Sequence, residues 1–475
     1  GTAQKELCKD YTVSEDGLHY TFTLLDDIVW SDGSPITAYD FEYGVLRALS
    51  YGVDNAYSIK EILSYLKGGV EYNQRACDAG SDFDCTVEDH SGVGIRAVDD
   101  KTLEVELSAP CPSLPGLMCS RAWVAVPQST PQHDSLWSLE AGYPTSGPYV
   151  LAEINETEKA VLKKSDTYFN KDAITMDTIT YWCMPDQDAQ AMAFKTGEMD
   201  VALTISAASA DGYQGTDILQ VIEEGSTYFI AINSAETGPA YLKDVNVRRA
   251  LALAIDKQAL SEVLGAEYYP VVNGYIPHGA EGIDGQFRDE ADADGYTLTY
   301  DAEEAKRLLA EAGYDESNPL KIKYKYSNNS IHGDVATMLE AAWSAIGVTV
   351  ELESVEYGVY YDQVDQGDFE LCRYADNIAN NDATRLLKLW TTGGQVVAAV
   401  SDPVYDQMCD EALQIADHDE YIKALHEMED YLVEENVYLI PLFEFMTPIL
   451  VSERVQGMTL SGTRPFFGYA TIAAE

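Results

Sequence analysis

From Asp301 to Leu352 the sequence alternates between two periodicities, and that alternation most narrows the folds open to it. Asp301-Ala302-Glu303-Glu304 opens a helical pattern that stops at Gly313, and Lys321 to Tyr326 reads as a strand. Leu339, Ala342, Trp343 and Ile346 then share one helix face that stops at Gly347, and Val348, Val350 and Leu352 alternate as a second strand. An acidic N-cap satisfies the first free amides of a helix, and a glycine just past its end takes the left-handed conformation that closes it. A strand, a helix and a second strand at this spacing predict parallel strands joined by a crossover, so the chain from about 240 onward is expected to be α/β.

Upstream, residues 11–30 read as a hairpin: Asp16-Gly17 supplies the turn, and Tyr20, Phe22 and Leu24 alternate with Thr21 and Thr23. After a second turn at Asp32-Gly33, Thr37 with Asp40 three residues on forms a variant capping box, and Phe41, Val45 and Leu49 line the helix it starts. Thr102 to Leu107 and Met199 to Leu203 read as strands, Gly147-Pro148-Tyr149 starts another, and Asp188 to Lys195 is a helix closed by Gly197. Tyr228 to Asn233 is apolar enough to be buried on both faces. Asp244 to Leu260 reads as one helix, with Arg248 and Arg249 in its first turn, where the macrodipole disfavours cations. A solvated or salt-bridged pair is the expectation there. Two further helices, over Pro403 to Ile415 and Tyr421 to Glu435, and a strand from Tyr438 to Phe445 complete the pattern.

Charge narrows the partners. Thirty Lys and Arg against eighty Asp and Glu give a formal charge of −50, a field that repels nucleic acid and anionic lipid. No apolar run approaches 18 residues, and Gly1 to Gln4 has no basic-then-apolar leader. The eight cysteines include two close pairs, Cys77 with Cys85 and Cys111 with Cys119. Their spacing is not that of a zinc ribbon, and the intervening loops suit disulfide staples in an oxidising compartment. Cys372–Cys409 and Cys8–Cys183 are the expected remaining pairs.

Enzyme signatures are missing: the chain has no G-x-S-x-G, H-E-x-x-H, Walker loop or G-x-G-x-x-G. The seven histidines are dispersed, and no metal or catalytic group is assigned. Asp376 and Asp382, in the stretch CRYADNIANND after the apolar run Asp368 to Leu371, are expected just past a strand end. They could be an acid/base pair, a metal site, a ligand clamp or a solvated turn. Thirty-two tyrosines stand out beside 12 Phe and 6 Trp; core packing and ordinary amphipathic surface cover most of them, and aromatics beyond core needs often line a pocket or cleft.

Several segments, read in order, resemble the extracellular solute-binding protein family 5, the oligopeptide/dipeptide-binding components of ABC importers. They are VSEDGLHYTFTL with WSDGSPITAYDFEYGVLRAL, GVGIRAVDDKTLEVELSAP, SGPYVL, LKKSDTYFN, FKTGEMDVA, AINSAETGPAYLKDVNVRRALALAIDKQAL and YDAEEAKRLLAEAGY. The resemblance runs from about Leu7 to Met458. It implies a two-lobed periplasmic-binding-protein-like fold of type II, with an extra subdomain packed on lobe I. The subdomain maps to 1–142, lobe I to 143–237 with 441–475 returning to it, and lobe II to 238–440. Lobe closure traps ligand, and a membrane permease recognises the closed form. Family members carry several dozen residues before this opening block, including a strand that pairs with bound peptide, so the chain is expected to start beyond it.

In peptide-binding members the loop after a lobe II strand reads roughly G-W-x-A-D-Y-x-[DE]-P, and its first Asp accepts the ligand's α-ammonium. Arg373-Tyr374-Ala375-Asp376-Asn377 falls there, which implies Asp376 as the ammonium clamp and the Leu371 to Tyr374 edge as a backbone partner for an extended peptide. Tyr374, Asn377 and Trp390 are expected pocket walls, and Arg373 a partner for a ligand carboxylate. Asn233 and Ser234 would touch ligand or stabilise the hinge, and Asp382 would be a helix N-cap near Thr384. The implied function is a monomeric, non-enzymatic protein without cofactor. It would capture short peptides between its lobes and deliver them to ABC importer permease subunits. It would lie outside the cytoplasm of a bacterium, either free in the periplasm or held at the cell surface by a lipid anchor outside this chain. Alternatives are an oligosaccharide, nickel chelate or other small solute on the same fold, a hydrolase using Asp376 and Asp382, and a structural surface protein.

Overall fold

The computed structural model describes residues 4–50, 65–111, 114–133, 136–378, 382–392, 399–415, 417–461 and 464–473. The chain forms two compact units. One comprises Gly1–Leu203, Thr216–Ile218 and Leu450–Glu475; the other comprises Thr204–Gly215 and Leu219–Ile449.

In the first unit the expected hairpin is β1 (Cys8–Val13) with β2 (His19–Leu24), turning at Gly17 with φ +68°. β3 (Ile95–Asp99) and β4 (Thr102–Glu106) extend it into an antiparallel sheet of order β1-β2-β4-β3. The helix Ala38–Ala48 packs on it, and its Asp40 carboxylate accepts the Thr37 amide as the capping box predicts. Tyr20, Phe22, Val45, Leu49, Leu103 and Val105 fill the space between. A separate meander of β5 (Tyr149–Asn155), β6 (Lys159–Lys164) and β7 (Thr178–Trp182) follows. The expected strand at 199–203 is only the two-residue β8 (Val201–Ala202), paired with Leu450 and Val451.

The second unit is built on five strands in the order β11 (Thr349–Val355), β10 (Lys321–Ser327), β12 (Leu371–Asn377), β9 (Leu219–Ile232) and β13 (Leu439–Val451). β11, β10 and β12 run parallel, with the helix Ser330–Ala345 as the crossover the sequence predicts, and β9 lies antiparallel to β12. From Ser226 to Ile232, β9 is buried throughout, with Tyr228, Ile230 and Ile232 in one apolar cluster and Phe229 and Ala231 in the other. Fully burying an apolar side chain of this size contributes about 1.5–3 kcal/mol, so the sheet is held from both faces.

Three expectations are corrected. The helix from Asp244 breaks into Val245–Leu253 and Lys257–Leu264, because Asp256 takes the Ala259 amide and starts a new N-terminus. Arg248 is neither solvated nor salt-bridged: it is buried and donates to the carbonyls of Asn436, Val437 and Leu242. Arg249 donates to those of Glu434 and Glu435. These are the acceptors exposed where the helix His418–Asp430 and its π-helical extension Tyr431–Glu435 end, so one helix terminus supplies the negative potential that the other needs. No disulfide joins any of the eight cysteines. Cys85 and Cys111 are buried in the first core while Cys77 and Cys119 are exposed, so neither close pair faces across its loop. Cys8 lies on β1 and Cys183 is exposed, whereas Cys372 and Cys409 are separate core thiols.

Behind β12 a buried ion pair fixes an irregular segment. Arg288 and Glu429 are both fully buried and meet through two parallel contacts, Nη1 to Oε1 at 2.8 Å and Nη2 to Oε2 at 3.0 Å. The same Glu429 oxygen accepts the amides of Tyr275 and Ile276, each at 2.7 Å. Gly274 lies so close that a Cβ there would fall 1.7 Å from Arg288 Nη1. Two residues on, Glu444 accepts the amide of His278 and lies 2.9 Å from its Nδ1. That hydrogen bond outweighs burial and lifts the imidazole pKa to about 8. Removing one partner of such a pair leaves an uncompensated charge. We expect Glu429→Gln to cost roughly 3–5 kcal/mol in urea unfolding, and Gly274→Ala to be destabilising too. Glu303→Gln, at the exposed ion pair with Lys306, should leave the midpoint unchanged.

Candidate functional site

The segment so anchored presents Tyr275 to β12. Asp376 lies inside that strand rather than in a loop past its end, opposite Thr227 of β9. The apolar run Asp368 to Leu371 precedes the strand and the ladder continues to Asn377, because β9 is long enough to pair all of it. The carboxylate is 3% exposed and accepts one hydrogen bond, from the Tyr275 hydroxyl to Oδ2 at 2.7 Å. It forms no ion pair among the described residues. Burial lifts its pKa to about 6, and the Tyr275 bond and the charge of Arg385 only partly oppose that. A carboxylate has about four acceptor sites, and this one has a single donor.

Tyr374 is half-buried on the same face of β12, its ring 5.8 Å from Phe229 and from Tyr361. Trp390 is buried beneath, its ring 5.8 Å from both Phe229 and Tyr275. Asp376, Tyr374 and Trp390 thus converge on Tyr275 and Phe229. Asn377 is exposed at the strand end, its carbonyl taking a hydrogen bond from Arg385. Arg373 alternates to the opposite face. Asn233 is fully buried and donates to the carbonyls of Gly367 and Phe369, tying the end of β9 to the turn before β12. Ser234 donates through its amide and hydroxyl to the Ala399 carbonyl.

The expected backbone edge is also corrected. Along Leu371 and Cys372 the strand is flanked by β10 as well as β9, so no edge is open there. The β10 ladder stops at Cys372, and from Tyr374 to Asn377 the strand partners lie on the β9 side alone among the described residues. Asp382 accepts the Thr384 amide at 2.7 Å, as an N-terminal capping group would, and a weaker contact from the Tyr421 hydroxyl. Among the described residues Asp376 is bonded by Tyr275, and Asp382 by Thr384 and Tyr421. Asn380 and Asn381 fall outside the described residues. Among those described, no cluster of His, Cys, Asp and Glu could hold a metal, and no helix is long and apolar enough to cross a membrane.

Sequence reasoning missed Tyr275 and the pair that holds it. Its only local signal is the bracket of Gly274 and Pro277, and its partners lie 101 and 154 residues away.

A carboxyl raised by burial contributes stability that is complete below the unfolded pKa of 3.8 and is lost as pH rises through about 6. Between pH ~4 and ~6.5 this group should therefore cost the unliganded protein roughly 2–3 kcal/mol. Asp376→Asn should abolish that part of the slope, read by urea unfolding at both pH values, and should stabilise the unliganded protein at pH 7.

Comparison with known proteins gives the family. The family model for bacterial extracellular solute-binding proteins, family 5 Middle, matches residues 2–397. The oligopeptide-binding protein OppA of Bacillus subtilis is 26% identical over 98% of this chain and 83% of its own length. The periplasmic oligopeptide-binding protein OppA of Escherichia coli is 27% identical over 94% and 80%. The crystal structure of a periplasmic oligopeptide-binding protein (OppAIV) from Borrelia burgdorferi superposes with a TM-score of 0.79 at 25% identity, covering 98% of this chain and 90% of that one. The fold is thus the two-lobed, mixed α/β one of these proteins, and the chain belongs to family 5 of the bacterial extracellular solute-binding proteins.

Proposed function

We propose that this protein is the extracytoplasmic binding component of an ABC importer, that its ligand is a short peptide, and that Asp376 receives the peptide's α-ammonium. One observation carries the reading: a carboxylate sealed in the second unit that has, among the described residues, a single hydroxyl donor and no ion-pair partner. An ammonium supplies the missing donors and the missing charge, and a charge-assisted hydrogen bond in a buried setting is about twice as strong as a neutral one. An extended chain would approach β12 beyond Cys372, where the β10 ladder ends. The relatives named as oligopeptide-binding proteins support the same ligand class.

The protein works by binding, with no catalytic step, and acts as a monomer held at the cell surface by a lipid anchor or free in the periplasm. Its working lobes are residues 143–237 with 441–475, and 238–440, with 1–142 as the extra subdomain. By contact, β9 and most of β13 are counted with the second unit. Sugars fit less well, since a neutral sugar does not bring the cation that Asp376 lacks among the described residues.

Thermal-shift titration of the full chain with a pool of short peptides, beside the same pool N-acetylated, tests the clamp. The free pool should raise the melting temperature in proportion to the logarithm of its concentration, and the acetylated pool should not. Equal shifts would retain peptide binding and remove Asp376 from it; no shift with either would end the peptide reading. Because an ammonium needs the ionised carboxylate, affinity for the free pool should also fall as pH drops below about 6.

A further inference from the structure

The loop that presents Tyr275 is closed on β13 at two neighbouring points, one of backbone and one of charge. The chain leaves that strand at Val272, whose amide donates to the Leu442 carbonyl, and returns at His278, whose amide donates to the Glu444 carboxylate at 3.0 Å. Tyr275 lies between the two. Glu429 answers two amides inside the loop and is paired with Arg288, a guanidinium that keeps its charge at every pH the protein meets. Glu444 is different. It is buried, and among the described residues its one ion pair is with the imidazole of His278, 2.9 Å away through Nδ1. One buried carboxylate of the loop is thus neutralised by a permanent cation and the other by a titratable one.

The charged groups around His278 all favour its protonated form. Glu444 faces it from β13, Asp289 faces it from the helix Phe287–Asp294 with Oδ1 3.5 Å from Nε2, and Glu223 adds its field from β9. Gln286, just before that helix, is a neutral neighbour that takes the amide of Gly279. No Lys or Arg pairs with any of the three carboxylates among the described residues. The Glu444 hydrogen bond, against the cost of burial and helped by the field of the three acids, keeps the imidazole protonated up to about pH 8. Once that proton is lost, Glu444 stands buried without its cation and with two carboxylates near it. Breaking a buried pair is costly, and the strain falls on the part that can shift. β13 is held in the sheet beside β9, whereas the loop has neither helix nor strand.

We infer that His278 is a positioning residue for the ligand site: its imidazolium closes the loop on Glu444, and loss of that charge in mild alkali loosens Tyr275 from Asp376 and weakens binding. This rests on the peptide reading above. Among the described residues the Tyr275 hydroxyl is the one donor that fixes the Asp376 carboxylate, so a shift of the loop lets the acceptor turn away from an incoming ammonium. Binding then has two limits set by different residues. Asp376 must be ionised, which fails below about pH 6, and His278 must be protonated, which fails above about pH 8. The stability that the His278 pair gives is complete below the ordinary imidazole pKa of 6.5 and is lost as pH rises through about 8.

The test compares the full chain with His278→Gln, which keeps a neutral donor and removes the charge. Binding of Ala-Ala-Ala is measured calorimetrically in both from about pH 6.5 to about pH 9.5. The peptide's own ammonium also titrates near pH ~8, but it does so alike for the two proteins, so the ratio of their affinities isolates the histidine. Wild type should bind about tenfold more tightly at the acid end, and the ratio should fall towards one as pH rises through about 8. A ratio that stays constant across the range overturns the inference, because a merely structural histidine gives the same factor at every pH. If neither protein binds, the peptide reading fails instead, and unliganded wild type decides this one. Its Tyr275 ring signal, in protein carrying carbon-13 tyrosine and assigned by its loss in Tyr275→Phe, should shift with a midpoint at about pH 8. That shift supports the inference even where His278→Gln fails to fold, and its absence overturns it in every case.

Discussion

The ion pair of Glu429 with Arg288 is the constraint on which the site depends. A segment running Asn273 to Gly279 has no helix or strand to satisfy its amides, and two of them are answered by one carboxylate oxygen in the interior. That carboxylate is tolerated there because a bidentate guanidinium pairs with it, and the guanidinium fits because position 274 has no side chain. Each element needs the others. Together they hold one tyrosine hydroxyl within 2.7 Å of Asp376.

Around this well-satisfied pair, β12 is the contrast. Most buried polar groups in folded chains are matched within the protein, and those left unmatched are the informative ones. β12 has an acid, Asp376, with one neutral donor and a base, Arg373, with neutral acceptors only, pointing to opposite faces, so neither can neutralise the other. Both sit in a strand whose apolar neighbours, Phe229 and Ile230 among them, make water a poor substitute for a partner. A protein that must release its ligand gains from keeping such groups incomplete, since stability withheld from the unliganded state becomes affinity in the liganded one.

Much of the architecture was legible in the sequence because it rests on short-range rules. The period change at 301–352, the cap at Thr37 and the turn at Gly17 each depend on neighbours within a few residues, and the parallel β-α-β unit and the first hairpin follow from them. Asp376 was reached only through resemblance to a family motif; by pattern alone it read as a loop acid, since nothing local signals that β9 extends the ladder past Tyr374. Tyr275, Arg288 and Glu429 were illegible because their meaning lies in contacts 141 to 154 residues long, and one acid among eighty carries no mark of which base it meets. The cysteines misled for the same reason: spacing says how far apart two thiols can be, and burial decides which way they face.

The path of the chain carries one more consequence. Each unit is closed by residues from the far end of the sequence: β13 completes the sheet beside β9, and Leu450 onward returns to the unit that begins the chain. Loop-closure entropy must be overcome before such distant contacts repay it. Neither unit can therefore finish folding before β13 and the residues from Leu450 on have been made, and until then incomplete sheet edges need shielding from other chains.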